Sequence, residues 1–358
     1  MSDLPVPPTN APSERPTWVE PVALVLGPAL LGAATAWVGA RAPIAAAVLW
    51  AEPALLFLGV YLVGWMALER RWLGAAATVI GFSAGGLIQR VPPVAEPPEP
   101  ATGAWAAELR GCTILPEAVR RPIRILTWTL DPHGPTPSVT RLIREDVDLV
   151  VLVGLPDPTV AEALAAGING EALYIPGPDL DDGMALIVRG VFQYCGGRED
   201  SWEVALPGAE GEAARAVLTF PEVQGAGVVP FVAVQLSGPG DASSWGKWPA
   251  QISESAQIIG GLSHALGARR VVVAGYFGVP RTFRETAGAL IGAGLEEVPV
   301  PASWPAHLGP VDLPGLHALD RVWTGGAWQP LAARDLSSAG HSRSPIVVDL
   351  APAEAHAR

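Results

Sequence analysis

The sequence predicts an α+β chain in two parts: three membrane-spanning helices, then a mixed domain in which two sheets face each other with helices on their outer sides. Three observations carry this reading. Of the 358 residues 49% are hydrophobic and mean hydropathy is +0.31, yet the apolar excess is concentrated before residue 91. Val91–Pro100 then carries five prolines, a composition that stops a helix and runs as a stiff extended spacer. Beyond it, apolar runs of strand length alternate with helix-period segments, the pattern of a layered α/β core.

Residues 1–21 form a proline-rich tail, and 22–90 form the membrane region. Val22–Ala40 has no charge and is long enough to cross a hydrocarbon layer of roughly 30 Å as a helix. A second span covers about 44–68; Glu52 and Pro53 leave open whether it is broken in its middle or begins at Pro53. The third covers about 72–89, where Gly81, Ser83, Ala84, Gly85 and Gly86 supply a small surface for close helix packing. Asp3, Glu14, Arg15 and Glu20 before a span-length run argue against a cleaved signal peptide. Arg15 and Arg70-Arg71 outweigh Arg41 and Arg90, which puts the N-terminus in the cytoplasm and the chain beyond residue 90 on the outer side. Trp18, Trp37, Trp50, Trp65 and Trp72 lie near span ends, as interfacial anchors or as bundle core.

After the linker at 91–104, residues 105–352 form the globular domain. Strands are expected at Ile123–Leu130, Asp148–Val153, Ala185–Arg189, Ala216–Phe220, Val229–Leu236, Arg270–Ala274, Leu319–Trp323, Trp328–Ala332 and Ile346–Leu350. Helices are expected at Ser138–Arg144, Pro158–Ala166, Pro249–Leu266 and Thr282–Ile291. Net charge is −12, and Lys247 is the only lysine of the chain; an acidic balance of this kind argues against electrostatic tracking of nucleic acid. If the domain lies outside the cytoplasm, Cys112 and Cys195 can pair, closing a loop of roughly 80 residues for about 4 kcal/mol. The alternative is two buried thiols acting as small hydrophobes. Asp179-Leu-Asp-Asp-Gly183 reads as an acidic turn before a calcium cup. No phosphate loop, metal-spaced Cys/His cluster or nucleophile elbow is present, and no cofactor is expected.

Six segments in order, Arg124-Ile-Leu-Thr-Trp-Thr-Leu130, Asp148-Leu-Val-Val-Leu-Val-Gly-Leu155, Val232-Ala-Val-Gln-Leu236, Val272-Val-Ala-Gly-Tyr-Phe-Gly278, Ala318-Leu-Asp-Arg-Val-Trp323 and Ser344-Pro-Ile-Val-Val-Asp-Leu350, resemble the endonuclease/exonuclease/phosphatase family. The resemblance spans roughly residues 122 to 350 and implies a four-layer α/β sandwich (DNase I-like). Members with several N-terminal spans and an outer-facing domain occur in bacteria, which implies a multi-pass protein of the inner membrane with its C-terminal domain in the periplasm.

The resemblance also implies where chemistry belongs, and the residues there are wrong for it. Family hydrolysis uses carboxylate and amide oxygens on a divalent cation with a His–Asp pair for protons. The metal-site Asn position holds Thr129 and the metal-site Glu position holds Gly154. Gln235 stands where a His is usual, Tyr276 and Gly278 replace the Asp and Asn of Gly-Asp-Phe-Asn, and Arg343 stands at the catalytic His. Asp320 alone keeps its acidic character. A rebuilt metal site from Asp131, His133, Asp320 and His341, converging at one rim, is the alternative.

These losses predict a pseudoenzyme: a non-catalytic, membrane-anchored subunit whose outer domain makes structural contacts. Its partners are the lipid bilayer and other integral-membrane proteins, in a respiratory, photosynthetic or envelope assembly. Trp202, Trp245, Trp248 and Trp304 are the interface candidates, with the core as their other placement. The alternative function is a membrane-anchored, divalent-metal phosphodiesterase or phosphatase with a rebuilt site.

Overall fold

The computed structural model describes residues 121–131, 134–177, 183–193, 201–207, 214–236, 238, 247–281, 284–308, 311–312 and 317–353, together with 59, 61, 63, 76 and 78–80. The last seven are helical and fall inside the second and third expected spans. Among the described residues no helix is long and apolar enough to cross a membrane. The tail, the linker and the rest of the three spans lie outside the described residues.

Strands follow in the order β1 (Ile123–Thr129), β2 (Leu149–Val153), β3 (Glu171–Ile175), β4 (Met184–Val188), β5 (Gly190–Phe192), β6 (Ser201–Ala205), β7 (Arg215–Thr219), β8 (Pro221–Val223), β9 (Gly227–Val228), β10 (Phe231–Gln235), β11 (Val272–Tyr276), β12 (Leu295–Glu297), β13 (His307–Leu308), β14 (Val311–Asp312), β15 (Asp320–Gly325), β16 (Trp328–Asp335) and β17 (Ile346–Pro352). The helices are α1 (Val139–Glu145), α2 (Pro158–Gly167), α3 (Trp248–Ala265) and α4 (Arg284–Gly292). Every strand and helix expected in this part is present, with ends shifted by a few residues. The short strands β3, β5, β6, β8, β9, β12, β13 and β14 are additions, because runs of two to five residues with mixed polarity carry no readable period.

Two sheets of six strands each form the frame, in the orders β16-β17-β1-β2-β4-β3 and β12-β15-β11-β10-β7-β6. In each sheet a parallel pair at the centre is joined through a helix: β1 to β2 through α1, and β10 to β11 through α3. These central strands are buried along nearly their whole length, as strands covered on both faces must be. Alternation assigns the faces. Ile123, Ile125, Leu149, Val151 and Val348 of the first sheet share one core with Val217, Phe231, Ala233, Val272 and Val322 of the second. Leu126, Trp128, Val150 and Leu152 point the other way and pack with Leu142, Ala161 and Leu164 of the first two helices. Val232, Val234, Val273 and Trp323 pack outward with Ile252, Ile259 and Leu290 of the last two. The domain is thus helix, sheet, sheet, helix in section, consistent with the expected sandwich.

Local chemistry supports each piece. Asp157 caps α2 by accepting from Thr159 N–H, and Pro158 supplies a first-turn residue that needs no N–H partner. Arg124 near the start of β1 bonds Asp349 across to β17. Trp248, an interface candidate on sequence grounds, is fully buried in the layer between α3 and the second sheet. It belongs to the core because it opens an amphipathic helix on its sheet-facing side.

Candidate functional site

The inward-facing residues at one end of the second sheet form a row. Register pairs Arg215 with Gln235, Gln235 with Tyr276, and Tyr276 with Asp320, so four neighbouring strands each place one side chain at the same level. Alternation puts all four toward the first sheet, since each lies two or four residues from a residue of the central core. The end of β1 meets this row from the other side. Thr129, buried, donates its hydroxyl to Asp320 Oδ1 at 2.6 Å, a bond that joins the two sheets.

Each position at which the resemblance implies chemistry is occupied by other contacts. Arg215 Nε donates to Gln235 Oε1 at 3.0 Å and its Nη1 to Pro176 O at 2.6 Å, so a guanidinium fills the space beside Gln235, where the resemblance implies a histidine. Arg343 lies over the Tyr276 ring at 4.8 Å and points Nη2 at its hydroxyl, 3.4 Å away. Gly154 has φ +80° and a Cβ added there would meet Leu130 O at 2.7 Å. The backbone just after β2 is held by Gly183 O, which accepts from both Gly154 N and Leu155 N at 2.9 Å. A metal-binding glutamate therefore cannot be grafted onto this backbone without moving it. Gly275, at φ +140°, lies so close to Val234 O that any side chain would clash with it.

Asp320 is the chemically unusual group. It is fully buried, and burial pushes its carboxyl up from 3.8 to about 6, opposed by the Thr129 hydrogen bond and by the Arg343 charge. Ser303 stands beside it without hydrogen-bond geometry, and Asp320 Oδ2 has no partner. Its neighbour in sequence, Arg321, faces the opposite side of the strand. There it donates from Nε to Ala318 O at 3.1 Å and from Nη2 to Val279 O, fixing the loop after Tyr276. Burial lowers that guanidinium to about 10.

The rebuilt-site residues separate into two groups. Asp131 and His341 do meet, but each is already committed. His341 Nδ1 accepts from Asp131 N–H at 3.1 Å, so the proton is on Nε2, which donates to Pro135 O at 2.8 Å. The ring is buried against the edge of Trp128, 4.7 Å between centroids, and desolvation holds its pKa below the ordinary value. Both Asp131 oxygens accept from Ser342, one from its N–H and one from its hydroxyl. A divalent cation would find one carboxylate, Asp320, with one oxygen already bonded and a guanidinium beside it. The residues present do not fit the metal that the resemblance implies. Among the described residues no group of three or more His, Cys, Asp or Glu side chains could hold a metal.

His133, Asp179, Asp181, Asp182, Trp245, Cys112 and Cys195 lie outside the described residues, as does the side chain of Trp202. Trp304 is half-buried, its ring stacked on His317 at 6.0 Å. Sequence reasoning does not single out Arg215, Ser303 or Ser342. A charged residue at an inward position of an otherwise apolar strand is the available signal for Arg215; loop serines give none.

No known family model matches the sequence, and no curated protein is similar to it. Among solved structures the chain is similar to an endonuclease/exonuclease/phosphatase from Beutenbergia cavernae, with 18% identity over 65% of this chain and 72% of that one and a TM-score of 0.48. It is also similar to the human Nocturnin catalytic domain, with 15% identity, 66% and 95% covered and a TM-score of 0.49. A third likeness is to the mannosyl-6-phosphatase Bt3783 of Bacteroides thetaiotaomicron, with 9% identity, 64% and 99% covered and a TM-score of 0.47.

Proposed function

We propose that this chain is a non-catalytic, membrane-anchored subunit whose outward-facing domain has the DNase I-like architecture and makes structural contacts within a membrane protein assembly. The observation that carries the reading is the closed row of strand ends. Thr129 occupies one oxygen of the only retained carboxylate, Arg215 occupies Gln235, and Arg343 stacks on Tyr276. Hydrolysis of a phosphoester needs a base near its working pH and a stabiliser of developing negative charge. His341, the imidazole that meets Asp131 at this end, has both its nitrogens bonded within the fold. The anchoring part of the proposal rests on the uncharged runs before residue 91.

The test uses the full chain extracted in mild detergent. Phosphodiesters and phosphomonoesters are offered with magnesium, manganese or calcium, and turnover is compared with that of Asp320→Asn. The expected result is no difference from background, together with other integral-membrane proteins co-purifying in fixed ratio. Turnover that Asp320→Asn abolishes overturns the proposal in favour of a rebuilt enzyme.

A further inference from the structure

The His341 imidazole ties together two segments beyond the reach of their strand pairing. Nδ1 accepts from Asp131 N–H at 3.1 Å and Nε2 donates to Pro135 O at 2.8 Å. Residues just after β1 are thus held by a ring that belongs to the turn before β17. Gly134 lies against that ring, where an added Cβ would come within 2.4 Å of Nδ1, and the Trp128 indole packs on it at 4.7 Å between centroids. Asp131 returns the tie through its carboxylate, which accepts from the N–H and the hydroxyl of Ser342. Arg141 of α1 joins the same turn by donating to Ser337 O.

This arrangement needs a neutral ring in one tautomer. A proton added at Nδ1 would set a donor against the Asp131 N–H and leave a cation where a neutral ring was buried. Among the described residues two charged groups bear on it: Asp131, whose Oδ2 is 4.0 Å from Nδ1 and favours the cation, and Arg141, which opposes it. Arg343, two positions on, lies over Tyr276 instead. Desolvation is the largest influence, so the latched ring takes up a proton less readily than an ordinary histidine at 6.5.

We infer that His341 is an acid-sensitive latch: neutral, it holds the residues after β1 against the turn before β17, and on taking up a second proton it lets the two part. Parting draws His341 off the Trp128 ring, which the Arg141 guanidinium also covers at 5.4 Å, and so uncovers an indole at this end of the domain. Only the latched form resists the proton, so a falling pH favours the open form. The latch does not depend on whether the domain is catalytic.

Hydrogen exchange of the full chain in detergent, read by mass spectrometry and corrected for the intrinsic pH dependence of amide exchange, tests it. From about pH 7.5 to about pH 5.5 the opening constant of peptides covering 131–137 and 338–343 should rise several-fold, to at most about tenfold. Leu149–Val153 of β2 should not follow. His341→Gln, whose amide can accept from Asp131 and donate to Pro135 without titrating, should remove the rise. Gly134→Ala, which displaces the ring, should leave both peptides open at either pH. The inference is overturned if the native peptides are equally protected at both pH values, if β2 opens along with them, if His341→Gln keeps the native response, or if Gly134→Ala stays as protected as the native chain. The comparison of the two pH values on the native chain stands even where a variant does not fold.

Discussion

Asp320→Asn should make the protein more stable at neutral pH and leave it nearly unchanged in mild acid. In the folded chain the carboxyl sits at about 6 instead of 3.8, chiefly because burial penalises its charged form. The folded state therefore holds a proton that the unfolded state has released between those two values, so stability falls as pH rises from about 4 to about 6 and stays reduced above. Holding the ionised carboxyl in that buried place destabilises the fold by about 3 kcal/mol, at roughly 1.4 kcal/mol for each tenfold change in proton affinity. An amide of the same shape keeps an acceptor for Thr129 and has no charge to desolvate. The gain over the native chain should grow from near zero at pH 4 to as much as about 3 kcal/mol at pH 7.5, or roughly 6–12 °C in Tm for a domain of this size. Tryptophan-fluorescence melts of both chains in detergent at three pH values read it directly, and the difference cancels every other titrating group. A pH-independent difference, or an Asn variant less stable at pH 7.5, refutes the assignment of Asp320 as a charge held at a cost.

His341→Leu leaves Asp131 N–H and Pro135 O without their partners and should cost about 2–4 kcal/mol in denaturant unfolding. Because the His341 ring resists protonation in the fold, the native chain should lose stability as pH drops below 6.5, and His341→Gln should flatten that part of the profile. Gly154→Glu should restore no manganese binding by calorimetry and should lower stability by about 1–3 kcal/mol, since the position combines φ +80° with a close carbonyl. Trp248→Ala should cost about 3–5 kcal/mol by opening a cavity; loss of a partner without such a cost would return Trp248 to the interface.

The layers are legible in the sequence because the central strands announce themselves. Leu149–Val153 and Phe231–Gln235 are apolar runs of strand length, each followed by a helix-period segment. Edge strands such as Glu171–Ile175 are half exposed and mixed in polarity, so their sequence resembles a loop. At the site, the residues that stand where chemistry was expected can be read one by one, but not what replaced it. The Thr129 hydroxyl finds Asp320 across 191 positions and Arg215 finds Gln235 through strand register. Neither pairing has a local signature. His341 illustrates the same limit: a histidine near a proline in a serine-rich turn looks solvated, and only packing against Trp128 and Gly134 shows it to be buried.

The hydrogen bond between Thr129 and Asp320 also constrains the changes open to this chain. Placing Asn at 129 cuts a tie between two sheets, placing Glu at 154 drives a side chain into Leu130 O, and placing His at 343 removes the cation that eases the burial of Asp320. Each single step toward a metal site lowers stability before any catalysis can begin. Selection for a metal site would meet a loss at every first move, so descendants of this chain are freer to elaborate its surface than to acquire such a site.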